Sequence, residues 1–111
     1  MEQLNYKIAQ LNDECRQSGG RIGRLMLTEG FKVTFPIVDI AEINELVATY
    51  NDFNEENDPH SEHDMGFFDY QNYKIIWRID YYDIDLNYRS EDPSNSQITT
   101  RVLTIMLASN Y

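Results

Sequence analysis

The stretch from Tyr73 to Asp83 constrains this chain more than any other. Tyr73, Ile75, Trp77, Ile79 and Tyr81 fall on one side of a period-two pattern, while Lys74, Arg78 and Asp80 alternate with them. That is the pattern of a β-strand with one face buried. Such a strand needs neighbours to satisfy its backbone and a second layer to cover its apolar face. Gly66 to Tyr70, separated from it by Gln71-Asn72, reads as the other arm of a hairpin. The final run ITTRVLTIMLA is short enough to be a buried helix, but Thr99, Thr100, Val102, Thr104 and Ile105 favour a strand. Nearer the N-terminus, RIGRLMLTEGFKVTF predicts a hairpin, Ile22 to Thr28 and Lys32 to Phe35, turning at Glu29-Gly30.

Two segments carry the helical period instead. Leu4, Ile8, Leu11 and Cys15 are spaced by four, three and four, which predicts a helix over about residues 2 to 18 closed by Gly19-Gly20. Pro36 stops strand pairing. Asp39 with Glu42 three residues later then reads as the capping box of a second helix, whose stripe is Ile40, Ile43, Leu46, Val47 and Tyr50. Residues 51–64 have no periodicity and contain Pro59, so they form a long loop, and LNYRSEDPSNSQ forms another. The expected fold is α+β, with two helices packed on an antiparallel sheet of about five strands in the order α-β-β-α-β-β-β. At 111 residues the chain fits one domain, residues 1–111.

Composition narrows the function classes. Cys15 is the only cysteine, which excludes an intrachain disulfide and a thiolate-rich zinc site, and it reads as a small buried hydrophobe. MEQLNYKIAQLNDE lacks a basic stretch leading into an apolar one, and no run approaches the ~20 apolar residues of a membrane span; the expected location is cytoplasmic. Charge is the unusual feature. The chain carries a formal net charge of −10, and residues 52–92 hold twelve acids against three bases. Such a field repels nucleic acid and membrane surfaces and attracts basic proteins or cations, although solubility alone also explains an acidic surface.

HSEHD, within NDPHSEHDMGFFDY, is open to three readings. His60, Glu62, His63 and Asp64 are of the types that ligate divalent metals, but H-x-x-H has one residue fewer than the helical H-x-x-x-H pair of HExxH, and Pro59 opposes a helix. Acid–base chemistry at His63 would need a nucleophile or phosphate loop that the chain does not supply. In the structural reading, Asp58-Pro59 starts a turn, Asp58 and Asp64 accept backbone N–H groups, and at least one histidine is partly buried against the aromatic strand. IDYYDIDLNY sets Asp80, Asp83 and Asp85 among tyrosines, which suits a cation, a basic protein partner or a solvated strand end.

The stretches GGRIGRLMLTEGF, NDFNEENDPHSEHDMGFFDY, IIWRIDYYDIDL, SEDP and TRVLTIMLASNY, spanning roughly Asn12 to Tyr111, together resemble a small family of uncharacterised bacterial proteins. Its members read approximately GGR, LT-x-G, NDP, EHD-x-G, IDYYD, S-x-DP and TRVLTIMLA-x-x-Y, and it is common in alphaproteobacteria and their plasmids. This chain departs from the pattern at Ser109-Asn110, where a more acidic pair is usual. The resemblance brings no activity with it, but it implies a setting on mobile elements beside antirestriction genes.

The expectation is therefore a non-enzymatic acidic binding protein, a mobile-element accessory or anti-defence inhibitor acting as a DNA mimic. It would occupy a basic, nucleic-acid-binding surface of a protein partner through Glu55, Glu56, Asp83, Asp85, Glu91 and Asp92. It would need no cofactor and would bind neither nucleic acid nor membrane directly. The alternative is a small metal-binding protein or metal-dependent enzyme centred on His60, Glu62, His63 and Asp64.

Overall fold

The computed structural model describes residues 2–111, with side chains from residue 5 onward. Helix α1 (Glu2–Gln17) follows the expected period and buries Ile8, Ala9 and Cys15; Leu4, first in the expected stripe, lies outside the described side chains. Gly19 and Gly20 adopt φ of 67° and 85°, and the Gly20 amide returns to the Cys15 carbonyl at 3.0 Å, the left-handed closure expected there.

The expected hairpin over residues 22–35 is replaced by one strand and one helix. Strand β1 (Arg24–Leu27) leads directly into α2 (Glu29–Thr34). Thr28 is the N-cap, its side chain accepting the Phe31 N–H, and Thr34 Oγ1 donates to the Gly30 carbonyl at 2.7 Å. FKVTF satisfies both periods on paper. Burial decides for the helix, because Phe31 and Phe35 share one buried face while Val33 between them is exposed. The capping box is also absent. Helix α3 (Ile37–Ala48) starts at Pro36 without a side-chain cap. Asp39 and Glu42 instead accept from the Tyr70 hydroxyl at 3.1 and 2.8 Å. Burial, and then these carboxylates, raise the Tyr70 pKa.

The remaining strands are β2 (Met65–Tyr70), β3 (Tyr73–Tyr82) and β4 (Thr100–Leu107). They form a four-stranded sheet in the order β1-β4-β3-β2, not five antiparallel strands. The β2–β3 and β3–β4 pairs are antiparallel, but β1 runs parallel to β4, Arg24 opposite Val102 through Leu27 opposite Ile105. A parallel pair requires a crossover, and the helices α2 and α3 lie within that connection. The element order is thus α-β-α-α-β-β-β, with a short 3₁₀ turn at Ala108–Asn110.

The apolar run that was ambiguous in sequence is β4, second from the β1 edge and buried from Arg101 to Leu107. Burial on both faces is why its pattern is continuous rather than alternating. On the covered face, Ile75, Trp77 and Ile79 join Leu103, Ile105 and Leu107 against Phe31, Phe35, Ile43 and Val47. Each such side chain contributes about 1.5–3 kcal/mol by leaving water. Cys15 is fully buried in this core. Burial pushes its thiol up to about 11 despite the nearby Arg101 and Arg16 charges, so it is a packing residue, as its type implied. No helix among the described residues is long and apolar enough to cross a membrane.

Candidate functional site

The long loops at residues 50–64 and 83–99 leave the same end of the sheet. One enters β2 at Met65, opposite Arg78; the other joins Tyr82 of β3 to Thr100 of β4, which are themselves paired. A buried polar node fixes both. Asn12 on α1 donates through Nδ2 to the Glu62 carbonyl and to the Tyr81 hydroxyl, each at 2.9 Å. Its Oδ1 accepts from Arg101 Nε at 2.6 Å. Arg101 also donates to the Pro93 carbonyl at 2.5 Å and lies 5.1 Å from the Tyr81 ring centre. One amide and one guanidinium thus anchor the two segments that carry most of the excess acid.

A second cluster shapes the first loop. Arg16 is buried and donates to the Val47 and Ala48 carbonyls at 3.1 and 2.9 Å, closing the end of α3, and to Asp13 Oδ1 at 2.8 Å. Asp13 accepts from His63 Nδ1 at 3.0 Å. The imidazole stacks on Phe53, centres 3.9 Å apart and planes within 4°, and Phe53 meets Trp77 edge-on. His63 Nε2 is 3.7 Å from Asp58 Oδ2. Asp58 is buried and accepts the N–H groups of Glu62 and His63 at 3.0 and 3.2 Å.

These contacts bear on the three readings of HSEHD. Asp58 accepts backbone donors as expected, and His63 is half-buried on an aromatic wall. That wall is Phe53 of the loop itself, with β3 behind it. Asp64 contributes its backbone carbonyl, which accepts the Ile79 N–H at 2.8 Å. His60 is exposed. Among the described residues, no group of three or more His, Cys, Asp or Glu side chains is placed to hold a metal ion. Glu62 and Asp64 both have raised pKa values, first from burial and then from neighbouring carboxylates, Asp64 and Asp58 acting on Glu62 and Asp58 and Asp80 on Asp64, with His60 opposing both shifts.

An open cleft of about 780 Å³ lies between α1 and the 59–63 segment. Tyr6, Gln10, Asp13 and Gln17 form its helical wall, and His60 and His63 face them from the loop. Among the described residues no lysine or arginine lines it.

Of the expected contact residues, Glu55 and Glu56 sit exposed in the turn where Asn54 Oδ1 accepts the Glu56 and Asn57 N–H groups. Asp85, Glu91 and Asp92 are exposed in the second loop. Asp83 is half-buried and accepts the Asn87 N–H, while Asp92 accepts from Ser94. These two therefore also hold loop geometry. Asn12, Asp13, Arg16, Phe53 and Arg101 were not singled out by sequence. The available signals were Asn12 and Arg16 lying one turn apart beside an apolar stripe, and a charged residue opening the run VLTIML.

Over the described residues the chain is thus an α+β protein with a four-stranded mixed sheet, three α-helices on its buried side and two acidic loops pinned at one end. It belongs to the family described as protein of unknown function (DUF3768), whose model matches residues 26–110. Residues 12–25, which the sequence resemblance included, lie outside that span. No curated protein matches the chain, and no solved structure does.

Proposed function

We propose that this chain is a non-enzymatic acidic binding protein that presents its two acidic loops to a basic, nucleic-acid-binding surface of a partner protein, as an accessory or anti-defence factor of a mobile element. The observation that carries this reading is the shared anchorage of both loops on Asn12 and Arg101. A preorganised acidic surface loses little entropy on docking and competes with a phosphate backbone for the same lysines and arginines. Glu55, Glu56, Asp85, Glu91 and Asp92 are its exposed contacts, with Asp83 supporting them.

The test is affinity capture from a bacterial lysate at rising salt. Captured protein should bind nucleic acid, release it when the chain is added, and dissociate as salt rises. Reversing Glu55, Glu56, Asp85 and Glu91 to lysine should abolish capture. Salt-insensitive capture of a neutral protein would sink the proposal. A purified chain that holds about one equivalent of metal, lost in His63→Ala, would replace it with a metal-centred reading at His60, Glu62, His63 and Asp64.

A further inference from the structure

We propose that the cleft between α1 and the 59–63 segment receives an arginine side chain carried on an extended segment of the partner protein. This rests on the acidic-binding reading above and locates where the chain grips its partner. At about 780 Å³ the cleft falls within the size range of sites that enclose small ligands, which is ample for one long side chain and the backbone on either side of it.

Charge selects a cation. Asp13, which shares its charge with Arg16, and the exposed Glu14 stand on the helical wall, and among the described residues no lysine or arginine lines the cleft. In the same loop, outside the cleft lining, Glu62 and Asp64 resist ionisation, first through burial and then through the charges of Asp64 and Asp58 on Glu62 and of Asp58 and Asp80 on Asp64; a positive charge nearby favours their ionised forms.

Shape selects arginine over lysine. The His63 ring cannot swing freely, because Nδ1 is tied to Asp13 and one face lies flat on Phe53. With its side chain 30% exposed, it presents part of its remaining surface to the cleft, and a planar guanidinium packs on such a surface where a hydrated ammonium does not. Gln10 and Gln17 add side-chain carbonyls that can accept the forked N–H donors. The loop wall is also conformationally specified: Ser61 and His63 both hold φ at 56°, a left-handed backbone that non-glycine residues adopt uncommonly and that clusters at binding sites.

The experiment titrates the ¹⁵N-labelled full chain with a blocked pentapeptide, Ala-Ala-Arg-Ala-Ala, and with its citrulline and lysine analogues, following amide and histidine side-chain shifts. Saturable shifts should concentrate in residues 6–17 and 59–63 and weaken about tenfold with citrulline, which keeps the shape and loses the charge. Gln10→Lys, which places a cation on the exposed helical wall, should remove them while leaving the rest of the spectrum unchanged. Equal binding of citrulline or of lysine would overturn the assignment to arginine. The absence of saturable shifts in the cleft would overturn the site itself. Shifts confined to residues 83–99 would do the same while leaving the acidic-docking reading intact, and that reading fails separately if loop charge reversal leaves capture unchanged.

Discussion

Arg101 on β4 donates through Nε to Asn12 Oδ1 on α1 at 2.6 Å, and both side chains are buried. Its other contacts described above are neutral, the Pro93 carbonyl and the Tyr81 ring. Burial pulls the Arg101 pKa below its ordinary value, opposed by Tyr81, Cys15 and Glu14. A guanidinium in this setting depends on fixed dipoles for its stability. The Asn12 amide also holds Glu62 in one acidic loop, and Arg101 itself holds Pro93 in the other, so a buried charge fixes the acidic surface.

Asn12→Ala should therefore act on both loops at once. It removes an acceptor from Arg101 and a donor from the Glu62 carbonyl and the Tyr81 hydroxyl, and should lower stability by about 3 kcal/mol. Urea midpoints measure the loss, and hydrogen exchange shows where it falls. Amides in residues 57–64 and 83–99 should gain exchange together. Loosening of one loop alone would show that Asn12 does not couple them.

This node also marks where the sequence stops being legible. Strand β3 was readable because its alternation is local, and β4 because a continuous apolar run has few other uses. The α2 segment was misread because Phe31 and Phe35 fit both a period of two and a helical face, and only the surrounding core distinguishes them. Asn12 and Arg16 were unreadable for a different reason. A polar residue on an amphipathic helix normally faces water, and what buries these two are Tyr81, Glu62 and Val47, many residues away. The Asp58-Pro59 turn was legible because its acceptors and donors lie within five residues; the Asp13 partner of His63 was not, at a separation of 50.

Gly66, where the family resemblance places the glycine of EHD-x-G, packs against the core. A Cβ there would lie 2.5 Å from Trp77 Nε1 and 2.7 Å from the Tyr50 ring. Both rings are held by neighbours, Tyr50 meeting Phe53 and Trp77 edge-on. Gly66→Ala should cost about 1–3 kcal/mol by overpacking and shift Trp77 fluorescence. Gly30 in α2 is the control, because the atoms nearest a Cβ there belong to the Asn110 side chain, on an exposed residue that can move aside. Gly30→Ala should be neutral or stabilising by up to about 1 kcal/mol, the helix propensity gained. Denaturant midpoints of the two variants should move in opposite directions or diverge clearly; equal losses would place the constraint in the backbone and not in the aromatic contact.

The acid cluster predicts an inverted pH dependence. Burial, reinforced at Glu62 by Asp64 and Asp58 and at Asp64 by Asp58 and Asp80, raises the Glu62 and Asp64 pKa values above their ordinary 4.5 and 3.8. Between the ordinary and raised values the folded chain holds more protons than the unfolded one, so stability falls as pH rises through that window. The contribution is fully present below the ordinary values and is lost as pH climbs through the raised ones. The double variant Glu62→Gln, Asp64→Asn removes these charges permanently. It should be more stable than the parent at pH 7, with the gap closing as pH approaches 4.5. Urea midpoints of both proteins at pH 7, 6, 5 and 4.5 give the comparison, and 1 M salt should narrow the gap at pH 7 by screening the more exposed Glu62. A gap that stays constant or widens on acidification would mean that burial does not penalise these two carboxylates and that a cation pairs with them in the folded chain.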